Sequence, residues 1–198
     1  MPAFACPDML PVMILLMATY SRMFAPAFVL LAVVLLGGLE ARLGVLGSMI
    51  LAAAIVGLPG VTYKKFPLFA GALGLQLEWR TKVVVVQTLM GAAACVLLQV
   101  PEPVSATVVG LVAGNSALAV ARFKLNASAH VSVLTFAVLW GIAVFGPLCA
   151  YLLVLVPIML VSRTTLREHS WGEGFAGLVV GGAAFACFVG ANNVDLLL

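Results

Sequence analysis

Long apolar runs alternate along this chain with short breaks that are polar or rich in Pro and Gly. Because backbone exposed to lipid must satisfy its own hydrogen bonds, each run is predicted to be a helix. A helix needs roughly 20 mainly apolar residues to cross a bilayer. We therefore expect an all-α, polytopic transmembrane bundle of about six to eight helices, some short or half-spanning. The runs are 10–20, 24–38, 43–59, 66–77, 83–100, 104–122, 129–144, 146–161 and 171–190.

Two of these runs, 10–20 and 66–77, are too short to span a bilayer unaided, and we expect them to be interfacial or half-spanning. The break at 59–65, which contains Pro59 and the pair Lys64–Lys65, is predicted to separate run 66–77 from the run before it. In the last run, Gly177, Gly181 and Gly182 form a small-residue face that would let another helix pack closely.

Composition points to the same fold class. Apolar residues make up 64% of the 198 positions and charged residues 9%, against about 45–50% and about 25% in soluble domains. A fold that faces water cannot bury such an excess, so we expect a multi-pass integral membrane protein. The N-terminus carries Asp8 and no basic residue before its first apolar run, which is unlike a cleaved signal peptide. We expect that first segment to be retained.

Charge and cysteine content exclude several classes of function. Ten Lys and Arg residues give a net charge of +3, and no polybasic run or basic patch interleaved with aromatic residues occurs. Nucleic acid is therefore not an expected partner. Of the four cysteines, Cys95, Cys149 and Cys187 lie in apolar runs without CxxC spacing or a paired His. This pattern predicts neither a zinc site nor a disulfide framework, and we interpret these three as small buried apolar residues.

Three breaks share one polar character. Residues 78–82, 122–130 and 162–169 carry six of the ten basic residues and both histidines. Runs 83–100 and 104–122 would cross the bilayer and return, as would 129–144 and 146–161, so all three breaks are predicted to lie on one membrane face. Such a face could neutralise a phosphate and exchange protons with it. The alternative is positive-inside topology, but that rule counts Lys and Arg and gives no reason for both histidines to lie there.

The third break suggests a nucleophile. His169 is predicted to lie at the start of the last helix, with Glu173 four residues later on the same helical face. The carboxylate could then orient the imidazole and raise its basicity, so that His169 could attack phosphorus. Arg163 offers a planar fork of donors that suits bidentate binding of phosphate oxygens.

The second break suggests a partner for this nucleophile. His130 opens a helix just after Ser128, where free backbone N–H groups favour an anion. A histidine there could protonate a leaving oxygen. Lys124 and the pair Arg80 and Lys82 could supply diffuse positive charge. The simpler alternative is that both histidines are packing residues.

These residues resemble the motifs of the type 2 phosphatidic acid phosphatase superfamily of membrane lipid phosphatases. The last family motif reads Ser-Arg, five residues, His, three residues, Asp, and Ser162–Arg163, His169 and Glu173 match it except for Glu in place of Asp. The middle family motif, Pro-Ser-Gly-His, is similar to 127–130, which keeps Ser and His but has Ala in place of Pro and Gly. Some bacterial and archaeal members look closer to this form. The first family motif has only a degenerate counterpart in Arg80 and Lys82.

The resemblance covers roughly 78–190 and implies a phosphatase-like helical core at 78–198, preceded by N-terminal membrane helices at 1–77, in one membrane domain. It implies a phosphohistidine mechanism without metal or cofactor. In that mechanism His169 is the nucleophile, Glu173 orients it and His130 is the general acid. Arg163, Ser128 and Lys124 hold the phosphoryl oxygens, with Arg80 and Lys82 as further phosphate-binding candidates. The implied location is a prokaryotic inner membrane.

Three functions remain open at the level of sequence. The first is hydrolysis of a lipid phosphate or diphosphate with a polyprenyl or glycerolipid tail. The second is a phosphotransferase that shares the phosphohistidine step but transfers the phosphoryl group to an alcohol. The third is a catalytically degenerate membrane protein that uses the same basic residues to bind anionic lipid head groups.

Overall fold

The computed structural model describes residues 9–74, 79–121 and 123–194, which form an all-α bundle without a strand in these ranges. Counted as continuous helices, the described residues form eight. The α-helices are α1 (Met9–Met23), α2 (Pro26–Glu40), α3 (Gly44–Ala52), α4 (Leu58–Leu73), α5 (Trp79–Leu97), α6 (Val104–Ala121), α7 (Ala129–Phe145), α8 (Leu155–Thr165) and α9 (Trp171–Val194). A π-helical turn, Ala53–Gly57, joins α3 to α4, and a 3-10 helix, Pro147–Val154, leads into α8.

Length and hydropathy confirm the prediction of a multi-pass membrane protein. Within the described ranges, five helices are long and apolar enough to cross a membrane, and the pair α1 and α2, bent by 41°, could together form a sixth. α7 is also apolar but has only 17 residues. The five are Gly44–Leu68, Trp79–Leu97, Val104–Ala121, Pro147–Thr165 and Trp171–Asn192.

The predicted break at 59–65 is wrong. The chain continues helically from α3 through the π turn into α4, which ends at Leu73, so 66–73 does not form a helix of its own. Residues 75–77 of the predicted run lie outside the described residues. A proline ring normally clashes with the carbonyl four residues earlier. Here the N–H of Leu58 bonds five residues back to the oxygen of Ala53, and this wider turn just before Pro59 accommodates the ring.

Two of the three predicted small residues, Gly177 and Gly181, lie where α9 packs closely against α7. A Cβ added at Gly177 would lie 2.6 Å from the carbonyl oxygen of Ser128, and one at Gly181 would lie closer still to that of Ser132. A Cβ at Gly182 would meet nothing within 4 Å. The packing prediction is therefore confirmed for Gly177 and Gly181 and wrong for Gly182, which lies on another side of α9.

The largest cluster of buried apolar residues, which includes Trp140, lies toward the opposite end of these helices, and a smaller cluster around Val131 lies near the start of α7. Trp140 on α7 is 2% exposed, and its indole N–H donates to the hydroxyl of Thr107 on α6 at 2.8 Å. Because hydrocarbon lipid can cover apolar side chains as well as a core does, burial is not required of every apolar residue.

Cys95 is buried as predicted, whereas Cys149 is half-buried and Cys187 is exposed, so the burial prediction is wrong for Cys187.

Helix directions bring the three basic breaks to one end of the bundle. α5 and α6 form an antiparallel pair in which the Asn115 amide donates to the Thr88 hydroxyl at 3.0 Å. The start of α7 is bonded to the start of α9, because the Ser128 N–H donates to the Glu173 carbonyl at 3.0 Å. We call this the histidine end, where α5, α7 and α9 begin and α6 and α8 end. Glu78 and Arg122 belong to the predicted breaks but lie outside the described residues.

Candidate functional site

The start of α7 places Ser128 and His130 as predicted. Ser128 is the residue before the helix, and its side chain makes no capping hydrogen bond. It is 0% exposed, and its hydroxyl oxygen has no hydrogen-bond partner. His130, the second residue of α7, is half-buried. A hydroxyl and an imidazole therefore lie beside the backbone N–H groups of a first helical turn, which intrahelical bonds leave free.

His169 lies in a turn between α8 and α9, two residues before α9 begins, next to the predicted start of the last helix but not itself helical. The carbonyl oxygen of Arg163 accepts from the N–H of Glu168 at 3.1 Å and from that of His169 at 3.3 Å. These bonds close the end of α8 and fix the turn. The His169 side chain is 11% exposed, so the imidazole points inward.

Glu173 faces His169 although only Glu173 is helical. One carboxylate oxygen, Oε2, lies 3.5 Å from Nδ1 of His169, which is longer than a well-formed hydrogen bond. The same oxygen accepts from the Ser170 N–H at 2.7 Å, and the Glu173 N–H donates to the Ser170 hydroxyl at 3.3 Å. This reciprocal pair is a capping box. The helix cap therefore holds the carboxylate beside Nδ1, and Nε2 is the ring nitrogen available for reaction.

Arg163 is held from two sides. The residue is 9% exposed; Nη1 donates to the hydroxyl of Ser21 on α1 at 2.8 Å, and Nη2 forms an ion pair with the carboxylate of Glu168. The remaining donor, Nε, is buried without a partner. The predicted donor fork is present, and in the structure its two terminal nitrogens bind protein groups.

Three buried polar atoms without partners concentrate here. They are Ser128 Oγ, Arg163 Nε and His169 Nδ1, and in the described part of the chain only Gln87 Oε1 joins them. Arg163 and His169 lie close enough to His130 to act electrostatically on its imidazole. Since buried polar atoms are nearly always hydrogen-bonded, this density of unpartnered donors in a bundle of apolar helices distinguishes the histidine end from the rest of the protein.

The other three predicted phosphate ligands take different positions. Lys124 is exposed in the turn after α6. Arg80 donates from Nε to the carbonyl of Tyr63 at 2.8 Å. Its guanidinium also lies 3.5 Å from the centre of the Tyr63 ring. The Lys82 amine lies 4.8 Å from the centre of the Trp79 ring. The structure thus pairs Arg80 and Lys82 with aromatic groups of α4 and α5.

A cavity of about 460 Å³ lies at the opposite end of the bundle. Its lining includes Glu40, Glu102 and Phe188. The Glu102 carboxylate caps α6, accepting from the Ser105 hydroxyl at 2.5 Å and the Ala106 N–H at 3.1 Å. Because Glu102 already serves the helix cap and the lining contains no Lys, Arg or His, we place the candidate site at the histidine end.

Two residues of the site were not predicted. Ser21 lies 142 positions before its partner Arg163, and no spacing rule connects residues so far apart. Glu168 lies within the third basic break but was assigned no role, although an acid five residues after Arg163 is a possible partner across a helix end. Both bind the guanidinium, so both bear on how Arg163 could bind a ligand.

Comparisons with protein-family models, with curated proteins and with solved structures found no match for this chain. Among the described residues, no group of three or more His, Cys, Asp or Glu side chains is arranged to hold a metal ion. The geometry of the histidine end and the motif spacing are therefore the features that bear on function.

Proposed function

We propose that this chain is a membrane-embedded phosphatase that hydrolyses a lipid phosphate or lipid diphosphate through a phosphohistidine intermediate. The observation that carries the proposal is that Ser128 Oγ and Arg163 Nε, buried without hydrogen-bond partners, lie with the His169–Glu173 pair near His130. The resemblance to the type 2 phosphatidic acid phosphatase motifs supports the same reaction. The resemblance to bacterial and archaeal members favours a prokaryotic inner membrane.

Substrate binding draws on donors that the protein leaves free. Arg163 Nε and the Ser128 hydroxyl would donate to phosphoryl oxygens, together with N–H groups in the first turn of α7. Exposed Lys124, in the turn after α6, adds positive charge at the histidine end. Because the cluster lies at one end of a bundle of membrane-spanning helices, a substrate with an apolar tail could reach it from the lipid, and this favours a lipid over a soluble phosphate ester.

In the first half-reaction, Nε2 of His169 attacks phosphorus. The P–N bond forms while the P–O bond to the lipid oxygen breaks, and His130 gives its proton to that oxygen. The Glu173 carboxylate beside Nδ1 stabilises the positive charge that develops on the His169 ring. A phosphate anion beside His130 favours its protonated form, because nearby opposite charge stabilises the charged imidazole.

In the second half-reaction, His130 removes a proton from water as the water oxygen attacks phosphorus. The P–N bond breaks, the electron pair returns to Nε2 of His169, and inorganic phosphate leaves. Both histidines are then in their starting states, so the cycle consumes one water and produces one alcohol or lipid monophosphate. Transfer to an alcohol in place of water would make the same site a phosphotransferase.

The test is phosphate release from a panel of polyprenyl and glycerolipid phosphates and diphosphates in detergent, with a chelator present. We expect wild type to release phosphate and His169→Ala to lose roughly 10³-fold or more of that activity. Thr164→Val is the matched control, since the Thr164 hydroxyl bonds only carbonyls of its own helix, Leu160 and Val161.

Each outcome separates the candidates. Release that is equal in wild type and His169→Ala would exclude the phosphohistidine step. Phosphoryl transfer to an added alcohol without release of phosphate would identify the phosphotransferase. Binding of anionic lipid by folded wild type with no turnover of any substrate would support the degenerate, lipid-binding alternative.

A further inference from the structure

Helix α1 is attached to α8 by three hydrogen bonds of similar length. The Tyr20 hydroxyl donates to the Leu155 carbonyl at 2.7 Å, and the Ser162 hydroxyl donates to the Met17 carbonyl at 2.8 Å. Each of these two bonds joins a hydroxyl to a main-chain carbonyl and involves no side chain of the candidate site. The third, from Arg163 Nη1 to the Ser21 hydroxyl at 2.8 Å, is the one of the three that reaches a site residue.

Ser21 is the buried anchor of the guanidinium. The residue is 4% exposed, whereas the other partner of Arg163, the Glu168 side chain, is 46% exposed. The Glu168 end of this ion pair is open to solvent, so the pair is screened and another anion can reach Nη2. A buried hydrogen bond is costly to break, because the donor left behind has no water to bond. A phosphate could therefore displace Glu168 while Ser21 keeps its contact.

The planar geometry of arginine determines which nitrogens of Arg163 could bind a phosphate. Nε and Nη2 share one edge of the guanidinium plane, the edge that binds two oxygens side by side. In Arg163 this edge consists of the unpartnered Nε and of Nη2, whose partner is exchangeable. Nη1 lies in the same plane but outside this edge, and it is the nitrogen that donates to Ser21. Ser21 thus fixes the guanidinium with its bidentate edge directed away from α1.

We propose that Ser21 is a positioning residue for the reaction, which orients the Nε and Nη2 edge of Arg163 toward two phosphoryl oxygens. This inference rests on the proposed function, and it extends the site to α1, outside the range 78–190 that carries the motif resemblance. Arginine has about 2 kcal/mol of side-chain rotamer entropy, so a residue that restricts the guanidinium before substrate arrives improves both binding and orientation in the transition state.

The experiment compares three variants in phosphate release, with kcat and KM measured separately and Tm recorded for each. Ser21→Ala is expected to lower kcat/KM by about 10- to 100-fold, since small misplacements of a binding group have effects of that order. Ser21→Thr keeps the hydroxyl and is expected to stay within about 3-fold of wild type. Tyr20→Phe loses one α1–α8 hydrogen bond that does not involve Arg163, and it is expected to lower Tm while kcat/KM stays near wild type.

Inorganic phosphate, the reaction product, provides a second measurement. Its inhibition constant is expected to rise in Ser21→Ala and to stay unchanged in Tyr20→Phe. If Ser21→Ala does not fold, Ser21→Cys, similar in size but a weak acceptor, takes its place with the same expectations.

If the wild type is active and Ser21→Ala and Tyr20→Phe change kcat/KM equally, Ser21 only joins α1 to α8 and does not position Arg163. The proposed function would then still stand. Absence of phosphate release by wild type from every lipid would overturn the proposed function and this inference with it.

Discussion

The backbone N–H of Ser128 donates to the carbonyl oxygen of Glu173 at 3.0 Å. This bond joins the residue before α7 to the first turn of α9, and it is made between main-chain atoms, so the side chains of both residues remain free for other roles. It fixes the distance between the helix that carries His130 and the helix that carries Glu173. Any change that separates α7 from α9 should therefore affect chemistry as well as stability.

Gly177→Ala tests this coupling. The new Cβ would lie 2.6 Å from the Ser128 carbonyl oxygen, so α7 must move away from α9. We expect the free energy of unfolding to fall by about 1–3 kcal/mol, the usual cost of overpacking, and phosphate release to fall with it. Tm and kcat, measured on the same detergent preparation, check both effects.

Gly182→Ala is the matched control on the same helix. A Cβ there meets nothing within 4 Å, and alanine is the better helix former by about 1 kcal/mol. We expect Tm to stay the same or rise and kcat to stay unchanged. A Gly177→Ala protein as stable and active as this control would show that α7 and α9 do not pack as closely as described.

Glu173→Gln separates two roles of one carboxylate. Glutamine also serves at the third position of a capping box, so the bond from Ser170 should persist and Tm should change little. The negative charge that lies 3.5 Å from His169 Nδ1 is lost. We expect kcat to fall by about 10-fold or more with little change in KM, because the charge acts on the ring as it becomes positive.

Ser170→Ala provides the converse change. It removes the hydroxyl that accepts from the Glu173 N–H and keeps the Ser170 N–H that holds the carboxylate. We expect a loss of about 1 kcal/mol of stability with kcat close to wild type. If Glu173→Gln instead lowers Tm and leaves kcat intact, Glu173 is a cap residue and does not orient His169.

Glu168→Gln tests competition for Arg163. The Glu168 carboxylate pairs with Nη2, one of the two donors on the edge that we assign to phosphate. Without that charge, we expect KM to fall by roughly 5-fold, or about 1 kcal/mol, the upper value for an exposed ion pair. Glu40→Gln makes the same change of charge at the opposite end, beside Glu102, and should leave KM unaltered. A rise in KM for Glu168→Gln would mean that the ion pair supports substrate binding.

Much of the fold followed from apolar content, whereas helix boundaries did not. Run 129–144 corresponds to α7 within a residue, because Gly146 and the turn before Ala129 are strong local signals. Proline misled the prediction at Pro59, where a π turn two residues earlier removes the clash that usually ends a helix. His169 was predicted at the start of the last helix, and the Ser170 cap leaves it just outside α9.

The amino-acid sequence by itself determined that this chain is an all-α membrane bundle, and its spacing brought Ser128, His130, Arg163, His169 and Glu173 together as candidates. Only the tertiary structure decided that Ser21 holds Arg163 and that Arg80 binds Tyr63. The physical reason is that lipid covers apolar surface as well as protein does, so these helices have no apolar stripe to show which face meets which neighbour. The choice of neighbours depends on close approach at small residues and on a few buried polar contacts between distant parts of the chain.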